Sequence, residues 1–122
     1  MHASATALLC REDREAVDRF LITARMHFGD RLLKVVLYGS KARGDSHSES
    51  DLDLLLLLRG DRGVAWQDAR AASFLAADVG MATGVDVAAK CVSSERFDHD
   101  AAEPAGFARR VSQEGITLWP AT

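Results

Sequence analysis

The stretch LYGSKARGDSHSESDLDLLLLL, residues 37–58, most constrains what this chain can fold into. The pair Gly39-Ser40 ends one apolar run, and ten residues separate Ser40 from Asp51. Asp51 and Asp53 then begin a second apolar run that ends in five consecutive leucines. An unbroken apolar run of this kind is typical of a strand that is buried on both faces. The stretch therefore predicts a central strand that starts with two acidic residues.

The two acidic residues at the start of this strand predict a cation site. Side chains alternate faces along a strand, so Asp51 and Asp53 are expected to point the same way, roughly 6–7 Å apart. Two carboxylates at that separation repel by about 3 kcal/mol at an effective dielectric constant near 20. A solvated acidic strand start is the alternative, but it fits less well with the buried run that follows. We therefore expect Asp51 and Asp53 to bind a metal ion.

Hydrophobic spacing and turn residues predict an alternation of helices and strands. Helices are expected over residues 11–28, 64–79 and 105–113, with a short helical turn at 40–43; strands are expected over 32–38, 51–58 and 85–91, with an extended segment at 115–119. This order predicts an α/β fold, a two-layer sandwich of helices on a mixed β-sheet. We expect one domain over residues 1–122, with a partly disordered tail at 1–10.

Composition excludes several classes of function. The net charge of -3 argues against an extended nucleic-acid surface, which would need clustered Lys and Arg. No apolar run approaches the length of a membrane span, and the N-terminus does not resemble a signal peptide. Cys10 and Cys91 form no CxxC motif, so we interpret them as reduced packing thiols of a cytoplasmic protein.

The Gly-Ser segment resembles other phosphate-binding motifs only superficially. Gly39 and Gly44 have the glycine spacing of a P-loop, but Asp45 stands where that motif needs a phosphate-binding lysine. The hydrolase pattern G-x-S-x-G is also absent. What remains is a turn that offers backbone N–H groups and a hydroxyl at a strand end, with Arg43 as a charge-assisted donor. Such a turn beside carboxylates for Mg²⁺ is typical of phosphoryl or nucleotidyl transfer.

The spacing GS-x10-D-L-D between two apolar strands resembles the signature of the DNA polymerase β-like nucleotidyltransferase superfamily. The longer form, GSKARGD…SDLDLLL, is similar to the small bacterial members of that superfamily, the minimal nucleotidyltransferases. The match is dense over residues 35–58 and looser over Val85–Ser94 and Glu114–Trp119. The resemblance implies the polymerase β-like core fold. It also implies that Gly39 and Ser40 hold the β- and γ-phosphates of a nucleotide, assisted by Arg43.

The resemblance further implies that Asp51 and Asp53 ligate Mg²⁺ and that a third acid lies on a later strand, near the acceptor hydroxyl. Asp86 is the best candidate, since it lies between Val85 and Val87 in a predicted strand. Its role would be to ligate a second metal ion and help the acceptor lose its proton. The alternative is that Asp86 is only a charge at a strand edge.

The function that the resemblance implies is Mg²⁺-dependent transfer of a nucleotide, AMP from ATP, to an acceptor hydroxyl. With 122 residues the chain has no room for an acceptor-binding domain, so the acceptor is expected to be a protein or to be held by a homodimer partner. Small relatives often act as the antitoxin of a HEPN-type toxin. The alternatives are a catalytically weak antitoxin or regulatory module that acts by contact, and a dimeric enzyme that modifies a small molecule such as an aminoglycoside.

Overall fold

The computed structural model describes residues 9–45, 50–60 and 64–120. Residues 1–8 of the predicted tail and 46–49 of the loop before Asp51 lie outside the described ranges. In chain order the elements are α1 (Arg11–Phe28), a 3₁₀ turn (Gly29–Arg31), β1 (Leu32–Tyr38), α2 (Ser40–Arg43), β2 (Leu52–Leu58), α3 (Trp66–Thr83), β3 (Val87–Ser93), α4 (Ser94–Ala101), α5 (Phe107–Glu114) and β4 (Ile116–Trp119).

The four strands form one mixed sheet in the order β3-β2-β1-β4. Strand β1 runs antiparallel to both of its neighbours, whereas β2 and β3 run parallel and are connected through α3. The prediction of an α/β fold with a mixed sheet is confirmed. The topology places the end of β1 beside the start of β2, because Tyr38 lies opposite Asp53 in the register.

The main core lies between the sheet and the helices α1 and α3. Five apolar residues that recur at helical spacing in α1 are buried, as that spacing predicts, and four leucines of β2 pack in the same cluster. These residues are Val17, Phe20, Leu21, Ala24 and Phe28 of α1, with Leu52, Leu54, Leu56 and Leu58 of β2. Within the described ranges, no helix is long and apolar enough to cross a membrane.

The second face of the sheet carries a smaller cluster. Leu55 and Leu57 of β2 pack there with Val36 of β1 and Val111 of α5. Strand β2 is therefore buried on both faces, as its five leucines predict. The last helix begins later than expected, at Phe107 rather than at residue 105, because Gly106 precedes it with a φ of 119° that interrupts helical geometry.

Helix α3 differs from its predicted pattern. It runs to Thr83 and ends at Gly84, whose φ of 77° is left-handed, four residues beyond the predicted end. The spacing of small residues predicts a buried stripe of Ala65, Ala69, Ala72, Ala76 and Val79. The last three are buried, but Ala65 and Ala69 are exposed and Asp68 is buried instead. Arg31 explains this burial, because its two terminal nitrogens donate to the Asp68 carboxylate at 3.1 and 2.5 Å. The same pair holds the pKa of Asp68 below its usual range.

The two cysteines are expected to differ in reactivity. Cys10 is exposed, so the predicted packing role is wrong for it, whereas Cys91 is half-buried against the main core. Burial, helped by the nearby Asp68 charge, raises the pKa of Cys91 to about 12. Because the thiolate is the reactive species, iodoacetamide at pH 8 should alkylate Cys10 and spare Cys91 in the native protein. Mass spectrometry of native and denatured samples checks this, and equal labelling of both residues in the native sample would contradict it.

Candidate active site

The predicted Gly-Ser turn lies where β1 ends. Gly39 has φ 80° and ψ -161°, and its carbonyl accepts hydrogen bonds from the N–H groups of Ala42 and Arg43 at 3.1 Å. Helix α2 follows for a single turn and ends at Gly44, which is left-handed. Glycine tolerates the positive φ at both ends of this turn. The structure thus reverses the chain sharply within six residues of the end of β1, as the sequence predicts.

The Asp53 carboxylate lies directly against Gly39. A Cβ atom built on Gly39 would stand 2.5 Å from Asp53 Oδ2, closer than real contacts allow. Gly39 therefore has two reasons to be glycine, its backbone conformation and the close approach of Asp53. This contact brings the predicted phosphate-binding turn and the predicted metal-binding strand into a single site.

Asp51 and Asp53 influence each other electrostatically. Asp51 is exposed just before β2, and Asp53 is half-buried as the second residue of that strand. Burial and the charge of Asp51 raise the pKa of Asp53, and the cationic Lys90 and Lys41 partly offset this. A divalent cation would remove the repulsion, and Mg²⁺ binds through a few carboxylates together with substrate phosphates. The donor set of Asp51 and Asp53 fits that requirement.

Asp86 lies beside this pair but outside its predicted strand. Strand β3 begins at Val87, one residue after Asp86, and the Asp86 carbonyl accepts a hydrogen bond of 2.8 Å from the Leu52 N–H. Asp86 is exposed. Among the described residues, no three His, Cys, Asp or Glu side chains are grouped closely enough to hold a metal ion. The role of Asp86 as the third acid therefore stays a prediction.

Arg43 is paired with two carboxylates rather than directed only at the turn. Its Nε donates to Asp45 at 3.1 Å, and its Nη1 lies 3.5 Å from Glu114 at the end of α5. Both ion pairs are exposed, so each contributes little to stability and can exchange with another anion. A bound phosphate would have to compete with Asp45 and Glu114 for Arg43.

Lys41 forms a buried ion pair that the sequence analysis missed. Its Nζ lies 2.7 Å from Asp13 Oδ2, and both side chains are less than one tenth exposed. The pair ties α2 to the first turns of α1 and so fixes the turn that begins at Gly39. The lysine at the third position of GSKARG was the available signal, but nothing in the spacing pointed to Asp13, 28 residues earlier.

Two aromatic rings and a lysine lie next to the Gly-Ser turn on the second face of the sheet. The Tyr38 and Phe107 rings meet edge to face at 5.3 Å, and Lys90 Nζ lies 5.0 Å from the centre of the Phe107 ring. A cavity of about 180 Å³ lies here, lined by residues that include Gly39, Arg43 and Arg110. Burial raises the pKa of Tyr38 to about 12, with a contribution from Asp53, so Tyr38 stays protonated near neutral pH.

The family of the chain follows from this site and from the sequence profile that it matches. The profile of the nucleotidyltransferase domain matches residues 22–103, more than half of the chain. The chain therefore belongs to the nucleotidyltransferase domain family, as the sequence predicts. Enzymes of this class generally use divalent metal ions.

Two proteins from Methanocaldococcus jannaschii are similar to this chain over a short segment. They are the provisionally named protein adenylyltransferases MJ1305, 42% identical over 43 residues, and MJ0604, 36% identical over 45 residues. The matched segments cover 35% and 37% of this chain, and 29% and 45% of the two relatives. The chain thus matches less than half the length of either relative.

Solved structures of toxin–antitoxin complexes share the fold. A toxin–antitoxin crystal structure with AMP-PNP has a TM-score of 0.55 at 20% identity, and the match covers 92% of this chain and 75% of that one. A variant of the MntA–HpeT toxin–antitoxin complex has a TM-score of 0.54 at 21% identity, covering 85% and 72%. At this level of identity the similarity concerns the fold.

Gly39→Ala is expected to damage the site more than glycine replacement elsewhere. At φ 80° and ψ -161°, a region that essentially only glycine adopts, alanine costs about 1–3 kcal/mol of stability, and its Cβ would also displace the Asp53 carboxylate. Gly84→Ala is the matched control, because Gly84 has φ 77° and no neighbour within 4 Å of a built Cβ. Thermal melts with and without Mg²⁺ and ATP check this. Both variants should melt earlier than the parent, but only Gly39→Ala should lose the ligand-induced shift.

Proposed function

We propose that this nucleotidyltransferase uses Mg²⁺ and ATP to transfer AMP to a hydroxyl group of a protein partner. The observation that carries the proposal is the contact of the Asp53 carboxylate with Gly39, which joins a phosphate-binding turn to a pair of carboxylates. The acceptor oxygen attacks the α-phosphorus, the bond to the bridging oxygen of the β-phosphate breaks, and pyrophosphate leaves. The acceptor proton passes to a base, for which Asp86 is the predicted group.

Each residue of the motif has a role in the proposal. Gly39 and Ser40 bind the β- and γ-phosphates through the turn, and Arg43 assists when it exchanges its carboxylate partners for phosphate. Asp51 and Asp53 would hold Mg²⁺, which would supply electrostatic stabilisation of the phosphates. Tyr38 is protonated and serves as packing beside Asp53 rather than as a base.

We further propose that the partner is a HEPN-type toxin and that this chain is its antitoxin. The fold that the chain shares with toxin–antitoxin structures, one of them with AMP-PNP, supports this biology. The names of the two archaeal relatives support a protein acceptor. The pairing of Arg43 with Asp45 and Glu114 favours a second candidate, an antitoxin that acts by contact with little transfer.

The position of the label on ATP tests the reaction. The protein is incubated with Mg²⁺, the product of the neighbouring gene and ATP labelled at either the α- or the γ-phosphate. Transfer of the α-label to the partner, abolished by EDTA, is the expected result. Transfer of the γ-label would indicate a kinase instead. A stable complex without transfer of either label would support the contact-only antitoxin.

A further inference from the structure

We propose that Lys90 of β3 is a further nucleotide-binding residue, which contacts the phosphate chain beside Asp53. The inference rests on the proposed function, since it names an additional group for the same substrate. Lys90 lies outside the GSKARGD…SDLD motif, so neither the motif nor its spacing points to it.

The register of the sheet places Lys90 on the side of the catalytic carboxylates. Asp53 lies opposite Ala88 in the parallel pair of β2 and β3, and Lys90 is two residues further on. Residues that are paired in register share a face, and residues two apart on one strand share a face. Lys90 therefore lies on the same sheet face as Asp53, and its side chain is exposed.

An aromatic ring also holds the Lys90 ammonium group in place. Nζ lies 5.0 Å from the centre of the Phe107 ring, within the range of a cation–π interaction. Phe107 is itself held edge to face by Tyr38, the residue before Gly39 and the register partner of Asp53. The contact thus ties the Lys90 cation to an aromatic pair whose other member, Tyr38, directly precedes the Gly-Ser turn.

The charges around the site single out Lys90. Lys41 is used by Asp13, and Arg43 is shared between two carboxylates. Neither Lys90 nor Arg110 forms an ion pair with any residue in the part of the chain that the structure describes. Of these two, Lys90 lies on the sheet face that carries Asp53, whereas Arg110 lines the cavity from α5.

The negative charge of a bound triphosphate is the reason to expect a cation such as Lys90 at this site. ATP bound through one Mg²⁺ carries two surplus negative charges, and it would lie against two further carboxylates at Asp51 and Asp53. An ammonium with three donors can hydrogen-bond phosphate oxygens directly. Lys90 would then offset part of this negative charge at the position where the pyrophosphate leaves.

Calorimetry of the full chain with Mg²⁺ and either ATP or inorganic tripolyphosphate tests the inference. Lys90→Met should weaken binding of both ligands by about 10- to 100-fold, the effect of a lost charged hydrogen bond. Lys90→Arg should restore most of the affinity, since it keeps the charge. Lys34→Met is the matched control, because Lys34 is an exposed lysine on the same face of the sheet, near the opposite end of β1, and should leave affinity unchanged.

Three results would overturn the inference. They are equal ATP affinity of Lys90→Met and the parent, a loss for ATP without a loss for tripolyphosphate, and equal losses in Lys90→Met and Lys34→Met. If the parent chain binds neither ligand, the proposed function fails as well. The melting temperature of Lys90→Met should match that of the parent, because methionine keeps the contact with Phe107.

Discussion

Replacing Asp53 with asparagine is expected to lower nucleotidyl transfer by about 10³-fold or more, the scale of losing a catalytic charge. Asparagine has nearly the same shape, so it can keep the contact with Gly39 while losing the negative charge that a cation needs. Asp51→Asn should behave similarly, since the two carboxylates form one donor set. Transfer of the α-label from ATP to the partner measures both.

The same substitution should leave the fold intact or stabilise it. Burial and Asp51 raise the pKa of Asp53, so the folded state disfavours the ionised carboxylate. At neutral pH the ionised group therefore costs stability, and asparagine removes that cost. As the pH falls through the raised pKa, Asp53 becomes protonated and the cost disappears. The melting temperature of Asp53→Asn should equal or exceed that of the parent at pH 7, and the difference should shrink toward pH 4.

Asp78→Asn is the control for this pair of measurements. Asp78 is an exposed aspartate on α3, so its loss should change neither transfer nor melting. If Asp53→Asn transfers AMP as fast as Asp78→Asn, the carboxylate pair of Asp51 and Asp53 is excluded as the catalytic centre. A strongly destabilised Asp53→Asn variant would contradict only the argument that the ionised Asp53 carboxylate costs stability, and not the proposed catalytic role of Asp53.

Lys41→Met is expected to have the largest effect on stability, about 3–5 kcal/mol. The substitution leaves the Asp13 carboxylate buried without the cation that lies 2.7 Å away in the parent. A loss of this size corresponds to a fall in melting temperature of about 10 °C or more for a chain of this length. Because Lys41 also fixes the turn at Gly39, the variant should bind Mg²⁺ and ATP more weakly even where it remains folded.

The double variant Asp13→Leu/Lys41→Met distinguishes the ion pair from other causes. Removing both charges of a buried pair is often nearly neutral, so the double variant should recover most of the lost stability. Arg19→Met breaks an exposed pair with Glu15 at 3.6 Å and should cost less than about 1 kcal/mol. Equal losses for Lys41→Met and Arg19→Met would contradict the importance of burial.

The sequence predicted a feature correctly where neighbouring residues in the chain cause it, and failed where a contact between distant residues causes it. Strand β1 and helix α1 have the predicted bounds, because regular apolar spacing and a terminal glycine act over a few residues. The prediction for helix α3 was wrong in its end and in the first part of its buried face, whereas Ala72, Ala76 and Val79 are buried as predicted. The burial of Asp68 depends on Arg31, which is 37 residues away in the chain, and no local pattern contains that information.

The site divides in the same way. The Gly-Ser turn and the acidic start of β2 could be predicted because a turn, a strand and their spacing are local, and because they carry the family signature. The binding roles of Gly39, Ser40, Asp51 and Asp53 stay predictions. The tertiary structure alone pairs Lys41 with Asp13, directs Arg43 to Glu114 and places Lys90 on the sheet face of Asp53.

The amino-acid sequence by itself determined the family of this protein and the order of its central elements, namely a glycine turn followed by a carboxylate pair at the start of a buried strand. Only the tertiary structure decided which charges remain available to a substrate. The physical reason is that ion pairs form between side chains that the fold brings within a few ångströms, whatever their separation along the chain. Lys41 is neutralised by the buried Asp13, whereas Lys90 is exposed on the sheet face that carries Asp53.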